Sequence, residues 1–300
     1  MAMPDVIDLY MAHYAGRDDT RAQRLGWWRE QLAAIALQDL TDDHVHAALE
    51  ALATQPARYW SGKDADGRSI FKAKRRTLAP ATVNRYGASL AAVVTWAIKR
   101  RVAPKGFIHP CRSVERRVER NERTRYLSDD ERYRLLDACR QSTWPRLYVL
   151  VLMALTTGAR KSELISLRWS DVDLDRCVAH VGRTKNGDPR VLPLVPAVID
   201  ELRRFSAGPS VLLFPSARRV DTAFTFEPRW LEALKRARIR GFTFHALRHS
   251  CASMLAQSGA TLLEIADVLG HRQMQMTKRY SHLATTHKAA LVQRILGGIK

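Results

Sequence analysis

Cysteine is scarce: Cys111, Cys139, Cys177 and Cys251 are the only four in 300 residues, and no two form a Cys-x-x-Cys pair. That excludes a disulfide framework and a cysteine-built zinc site, and it suits reduced thiols in a cytoplasm. Long apolar runs are lacking too. The longest, Tyr148 to Leu155, falls far short of the roughly 20 residues that a membrane span needs. The start, MAMPDVIDLY, has no basic residue leading an apolar run, so no secretion signal is read there. Acidic residues are in deficit. Asp and Glu number 30 against 49 Lys and Arg, a net charge of +19. Clustered acids that could cage a hard metal are missing, so no metal is expected. Such an excess of positive charge repels itself and is relieved by a polyanion. Double-stranded DNA is therefore the first expected partner and an anionic membrane surface a weak second.

The hydrophobic fraction, 46%, is ordinary for a folded chain, and the length allows one or two domains. Charge divides it unevenly. From Arg58 to Arg125 there are 18 Lys/Arg and 5 Asp/Glu. Within this stretch Val83, Tyr86, Leu90, Val93, Val94 and Ala97 recur every three or four residues, which predicts a helix over residues 80–100. Lys74, Arg75 and Arg76 precede it, Arg85 lies on it, and Lys99, Arg100 and Arg101 close it. These seven are the candidate DNA contacts. Residues 20–36 and 42–53 also read as helices, the second capped by Thr41. Residues 60–77, rich in Gly, Lys and Arg, read as a flexible loop. Residues 112–126 mix both signs with almost nothing apolar and read as a basic linker. The expected division is a helical domain over 1–111, the linker, and a second domain over 127–300 that opens on the capping box Ser128 to Glu131.

The second domain begins helical and then changes period. Alternation over 171–181, the turn pair Asn186-Gly187 and the return run Arg190 to Leu194 predict a small antiparallel sheet with Pro193 on an edge strand. Helices resume from about Glu227. The fold class is mainly α, with that small sheet making the second domain α+β.

Several residues there suit chemistry on an anion. Arg160 follows Gly158 at a helix start, where free N–H groups favour anions, although a surface pair with Glu163 explains it as well. His245 and Arg248, at i,i+3 on a later helix, can face one ligand, and the planar fork of Arg248 fits phosphate oxygens. Gly270 closes another helix and sets the direction of His271. Lys185, beside the hairpin turn, is either a solubility device or a cation reaching over a substrate. Tyr280 stands among Lys278, Arg279 and His282. A free phenol titrates near 10 and is a poor nucleophile at neutral pH, so a catalytic Tyr280 calls for cations that stabilise its phenolate.

The order Arg, Lys, His-x-x-Arg, His, Tyr, carried by TTGARKSELISLRWSDVD, TKNG, HALRH, LGH and Tyr280, resembles the tyrosine recombinase family of phage integrases and Xer-type resolvases. The resemblance covers the whole C-terminal domain, and the basic helical domain looks like that family's core-binding domain. It implies that Arg160 and Arg248 clamp the scissile phosphate and that His245 exchanges a proton with the tyrosine. It implies that His271 assists by hydrogen bonding, Lys185 protonates the 5′-hydroxyl, Glu163 braces the site and Tyr280 forms a 3′-phosphotyrosyl bond. Neither a metal nor a nucleotide cofactor is implied. The amphipathic segment 287–296 would dock on a neighbouring subunit in a tetramer on two DNA sites, one that need not persist off DNA. DNA-bending accessory proteins are compatible with this, and the location implied is the cytoplasm, at the nucleoid.

Two departures stand out. Lys161 occupies a position that is apolar in many relatives, and no arm-binding domain precedes the core-binding-like helices. Integration or excision of mobile DNA is the leading expectation, with resolution of DNA multimers as its neighbour. A type IB topoisomerase and a non-cleaving DNA-binding regulator on the same scaffold are the rivals.

Overall fold

The computed structural model describes residues 1–16, 18–64, 66–119, 125–182, 189–216, 219, 221–284 and 292–296. The chain divides into two compact units, Met1–Glu122 and Arg123–Lys300.

The first unit is built on helices α1 (Met3–Ala12), α2 (Arg21–Gln31), α3 (Asp42–Thr54) and α4 (Pro80–Lys99). Proline in the first turn of α1 and α4 is preset for helix entry, and Thr41 caps α3 by accepting from the His44 N–H. The period of α4 translates into burial: Val83, Leu90, Val93, Val94 and Ala97 are all within the core, packed with Trp28, Leu25 and Val45. The Trp28 indole donates to the Tyr86 carbonyl at 2.9 Å, so a buried polar group is satisfied.

Two expectations change here. Residues 60–77 are not a loop: β1 (Pro56–Lys63) and β2 (Ser69–Thr77) form an antiparallel ribbon with Trp60 opposite Phe71. Every residue of β2 is exposed, so the ribbon has no buried face and leaves no alternation in the sequence. The stretch expected as a linker is also held down as far as residue 119. Asn84 exchanges two hydrogen bonds with the Arg117 backbone, at 2.8 and 3.0 Å, and the Arg117 guanidinium pairs with Glu50 at 2.6 Å.

The second unit opens at α5 (Asp129–Arg140), where Ser128 and Glu131 complete a reciprocal cap. Helix α6 (Leu147–Thr157) is apolar on all sides and buried from Leu147 to Leu155, so the run that is too short for a membrane is the centre of the core. No described helix is long and apolar enough to cross a membrane. Around it lie α7 (Lys161–Ser166), the sheet of β3 (Val172–Asp173), β4 (Val178–Val181) and β5 (Arg190–Pro193), then α8 (Pro196–Arg203) and α9 (Glu227–Arg236). Then follow α10 (Ala246–Gln257), α11 (Leu262–Leu269) and α12 (Met274–Lys278), with a further described helical stretch at 292–296. The sheet order is β3-β4-β5, all antiparallel, so β5 with Pro193 is an edge.

Candidate active site

Four local features converge. Helix α6 stops at Gly158, which adopts φ +60, and α7 starts at Arg160. A side chain on Gly158 would meet Leu269 at 2.4 Å, so glycine is required both for the turn and for the approach of α11. Helix α10 begins after His245, and Gly270 ends α11 at φ +65 and turns the chain to His271. Tyr280 follows α12 and packs on Cys251, Ala252, Ala256, Ile265 and Leu269.

Two guanidiniums, Arg160 and Arg248, are held by hydrogen bonds here. Arg160 donates to Glu163 Oε1 at 2.7 Å, and the Arg160 N–H donates to Oε2 at 2.9 Å. The surface pair that was the plain alternative for Arg160 therefore exists, but its carboxylate is buried, at 4% exposure. Arg248 is equally buried and donates through one nitrogen to the Gly158 carbonyl at 2.8 Å. Its Nη2 is buried with no hydrogen-bond partner among the described residues. Burial first, then the Arg160 and Arg190 charges, bring Arg248 down to about 10, so it stays cationic at neutral pH.

Burial pushes the Glu163 carboxyl upward. Hydrogen bonds from Arg160 and the charges of Arg190 and Arg160 overcome this and hold it below the usual range. Removing one member of such a buried pair strands the others, so Glu163→Gln is expected to cost about 3 kcal/mol of stability and a lower Tm, read by calorimetry. An unchanged Tm would contradict the bracing role.

Tyr280 differs from its expectation. It is 3% exposed and belongs to the core, while Lys278 and Arg279 beside it in sequence are exposed. Burial raises the phenol above its ordinary range and outweighs the opposing Arg279 and Arg248 charges. The phenol is thus not pre-ionised. Its oxygen lies 2.5 Å from His249 Nδ1. Burial, then the His245 and nearby arginine charges, hold His249 at about 4, so the neutral imidazole accepts from the phenol O–H.

His249 stands in the HALRH motif four residues after His245. The i,i+4 spacing, which puts both on one helix face, is the signal that could have marked it. The His245 and His249 rings meet edge-on with centroids 5.2 Å apart. Burial and the Arg248, Arg160 and Arg279 charges lower His245, and burial with Arg248, Arg160, Arg279 and Arg190 holds His271 at about 4. His271 Nδ1 lies 2.8 Å from the buried Thr277 hydroxyl.

Arg190 is a second residue that sequence reasoning missed. It bonds Glu163 Oε2 at 2.9 Å and the Val268 carbonyl at 3.0 Å, joining β5 to α7 and α11. A side chain on Gly270 would sit 2.9 Å from its Nη1.

Lys185 lies outside the described residues. Lys161 pairs with Glu227 at 2.8 Å. In the other unit the basic candidates do not form one patch. Lys74, Arg75 and Arg76 stand exposed on β2, Arg85 is exposed on α4, and Lys99, Arg100 and Arg101 crowd its far end, about 30 Å along a 20-residue helix.

Three neutral, partly desolvated imidazoles have a stability consequence. Each folded-state pKa lies below the unfolded value near 6.5, and for His249 and His271, held at about 4, the unfolded chain binds more protons between about pH 4 and 6.5, with His245 adding in the same direction. Their contribution is complete above that window and is lost as pH falls through it. Tm should drop from pH 7 to 4.5, and a flat Tm across that range would contradict the assignment.

A fold of this kind is shared by integrases of known structure. The Tn1549 transposon integrase, in complex with circular intermediate DNA, matches at TM-score 0.72 and 19% identity, over 97% of this chain and 98% of that one. A lambda integrase dimer bound to a core site matches at TM-score 0.69 and 19% identity, over 94% and 95%. In sequence, the integrase of Salmonella phage P22 is 27% identical over 92% of this chain and 74% of its own length. The shufflon-specific DNA recombinase of Escherichia coli is 35% identical over 58% of this chain and 44% of its own. Residues 125–287 match the model of the phage integrase family, and the chain belongs to that family of tyrosine recombinases.

Proposed function

We propose that this chain is a site-specific recombinase that cuts and rejoins DNA through a covalent bond to Tyr280. The observation that carries the reading is the buried Nη2 of Arg248, a donor with no partner among the described residues, in a guanidinium that feels the charges of Arg160 and Tyr280. A buried donor without a partner costs stability, and a phosphodiester oxygen would satisfy it.

The Tyr280 oxygen attacks phosphorus and its proton passes to His249 Nδ1. The bond from phosphorus to the 5′-oxygen breaks, and that oxygen leaves with a proton, the role the family resemblance gives to Lys185. The 3′-phosphotyrosyl ester retains the energy of the broken linkage, so a partner strand's 5′-hydroxyl reverses the attack without a nucleotide cofactor. At about 4 Å and an effective dielectric near 20, each guanidinium offers roughly 4 kcal/mol of gross attraction to the five-coordinate phosphorus. Arg190 and Glu163 act through Arg160 as positioning residues. Integration or excision of mobile DNA by a tetramer on two sites is the form of the activity we favour. Val292, Ile295 and Leu296, exposed on the helical stretch 292–296, give a subunit-docking tail its apolar side.

The test is to incubate the chain with nicked fragments of DNA from the organism that encodes it, denature in detergent, and sequence what stays attached. One short recurring sequence, joined through its 3′ end, is expected. The absence of any detergent-resistant adduct would overturn the proposal, and supercoil relaxation without exchange between two sites would move it to a topoisomerase.

A further inference from the structure

Among the described residues of the first unit, the exposed aromatic side chains are Tyr59, Trp60 and Phe71, at 45%, 58% and 49% exposure. All three are on the β1–β2 ribbon. Residues 56–77 also carry seven Lys/Arg against two Asp. Lys72 stands opposite Tyr59, and the Lys74 ammonium lies 5.9 Å from the Tyr59 ring centre. A projecting two-stranded element with apolar rings and no cover is a liability unless something binds it. At its base, Arg58 and Phe71 join Trp27, Arg85 and Tyr86 around an open cleft of about 590 Å³. Neither the Arg58 nor the Arg85 guanidinium has a hydrogen-bond or ion-pair partner among the described residues.

We propose that this ribbon is a DNA arm that enters the major groove. Its lysines and arginines would meet phosphates, and Trp60 and Phe71 would lie against base edges. Arg58 and Arg85 would hold the backbone at the mouth of the cleft. Strands about 4.8 Å apart, with side chains, fit a groove about 12 Å wide. The charge decides the occupant: two ribbons of the same strong positive sign repel, whereas a polyanion neutralises them. The inference rests on the chain acting on DNA and adds a contact that the catalytic unit does not make.

The test uses the full chain and a 30-base-pair duplex of random sequence, with affinity measured across a salt series and folding checked by circular dichroism. Lys72→Gln with Lys74→Gln should flatten the slope of log K against log salt by about 1.8, close to 0.9 for each lost phosphate contact. Trp60→Ala with Phe71→Ala should weaken binding about tenfold at fixed salt and leave the slope unchanged. Wild-type affinity and slope in both variants would overturn the proposal. So would loss of a dimer in solution with DNA binding intact, which would make the ribbon's occupant a second copy. Failure of the recombinase reading is separable: it would appear as ribbon-dependent binding with no adduct dependent on Tyr280.

Discussion

Tyr280→Phe is expected to eliminate the covalent protein–DNA adduct while leaving duplex affinity within about twofold. Loss of a covalent nucleophile in a site whose other groups remain typically lowers turnover on the order of 10⁶-fold, which is beyond detection in a trapping assay. The substitution is well matched to the site. The ring packs against Cys251, Ala256, Ile265 and Leu269, and phenylalanine fills the same volume. What is lost is one oxygen and its 2.5 Å contact to His249, so the change in fold stability should be only about 1 kcal/mol. Binding depends on phosphates meeting cations, none of which is altered. A variant that still formed adduct would remove Tyr280 from the chemistry, whatever the fold.

Arg248→Lys should leave DNA affinity nearly intact and slow strand cleavage roughly 10²- to 10³-fold, the cost of removing one well-placed donor to a developing charge. Lysine keeps the positive charge but not the fork. In the wild type one nitrogen of the fork is committed to the Gly158 carbonyl and the other is unpartnered. A single ammonium can serve one of these duties at a time, and the rigid spacing between them disappears. Single-turnover cleavage of the trapped site, with affinity measured separately, checks this. Equal losses in affinity and rate would mean that Arg248 contributes only uniform binding.

The resting site is set by burial more than by charge. Sequence proximity placed Lys278, Arg279 and His282 around Tyr280, and the Arg279 charge does act on the phenol, but burial outweighs it. The ring turns into the contact between α10 and α11, and desolvation then raises the phenol despite nearby guanidiniums. The imidazoles are neutral for the same reason and can accept protons. In the mechanism we propose, activation therefore falls to a base in direct contact, His249, rather than to a cationic field alone.

What the sequence made legible were local relations. The period of α4, the caps at Thr41 and Ser128, the Gly270 stop and the i,i+3 relation of His245 to Arg248 all depend on residues a few positions apart. Arg190 depends on a carboxylate 27 residues away. Alternation with the buried Leu192 does put it on the inward face of β5, a clue that is present but weak for a charged residue. The β1–β2 ribbon was illegible for another reason. Strand periodicity records burial of one face, and here neither face is buried. The docking of residues 112–119 rests on Asn84 and Glu50, polar contacts that no apolar pattern announces.

The most direct measurement is to digest the trapped protein–DNA adduct with nuclease and protease and locate the modified peptide by mass spectrometry. The account predicts a residual nucleotide on Tyr280, linked through a 3′-phosphate. A nucleotide on any other side chain, or a 5′-linked one on Tyr280, would contradict it.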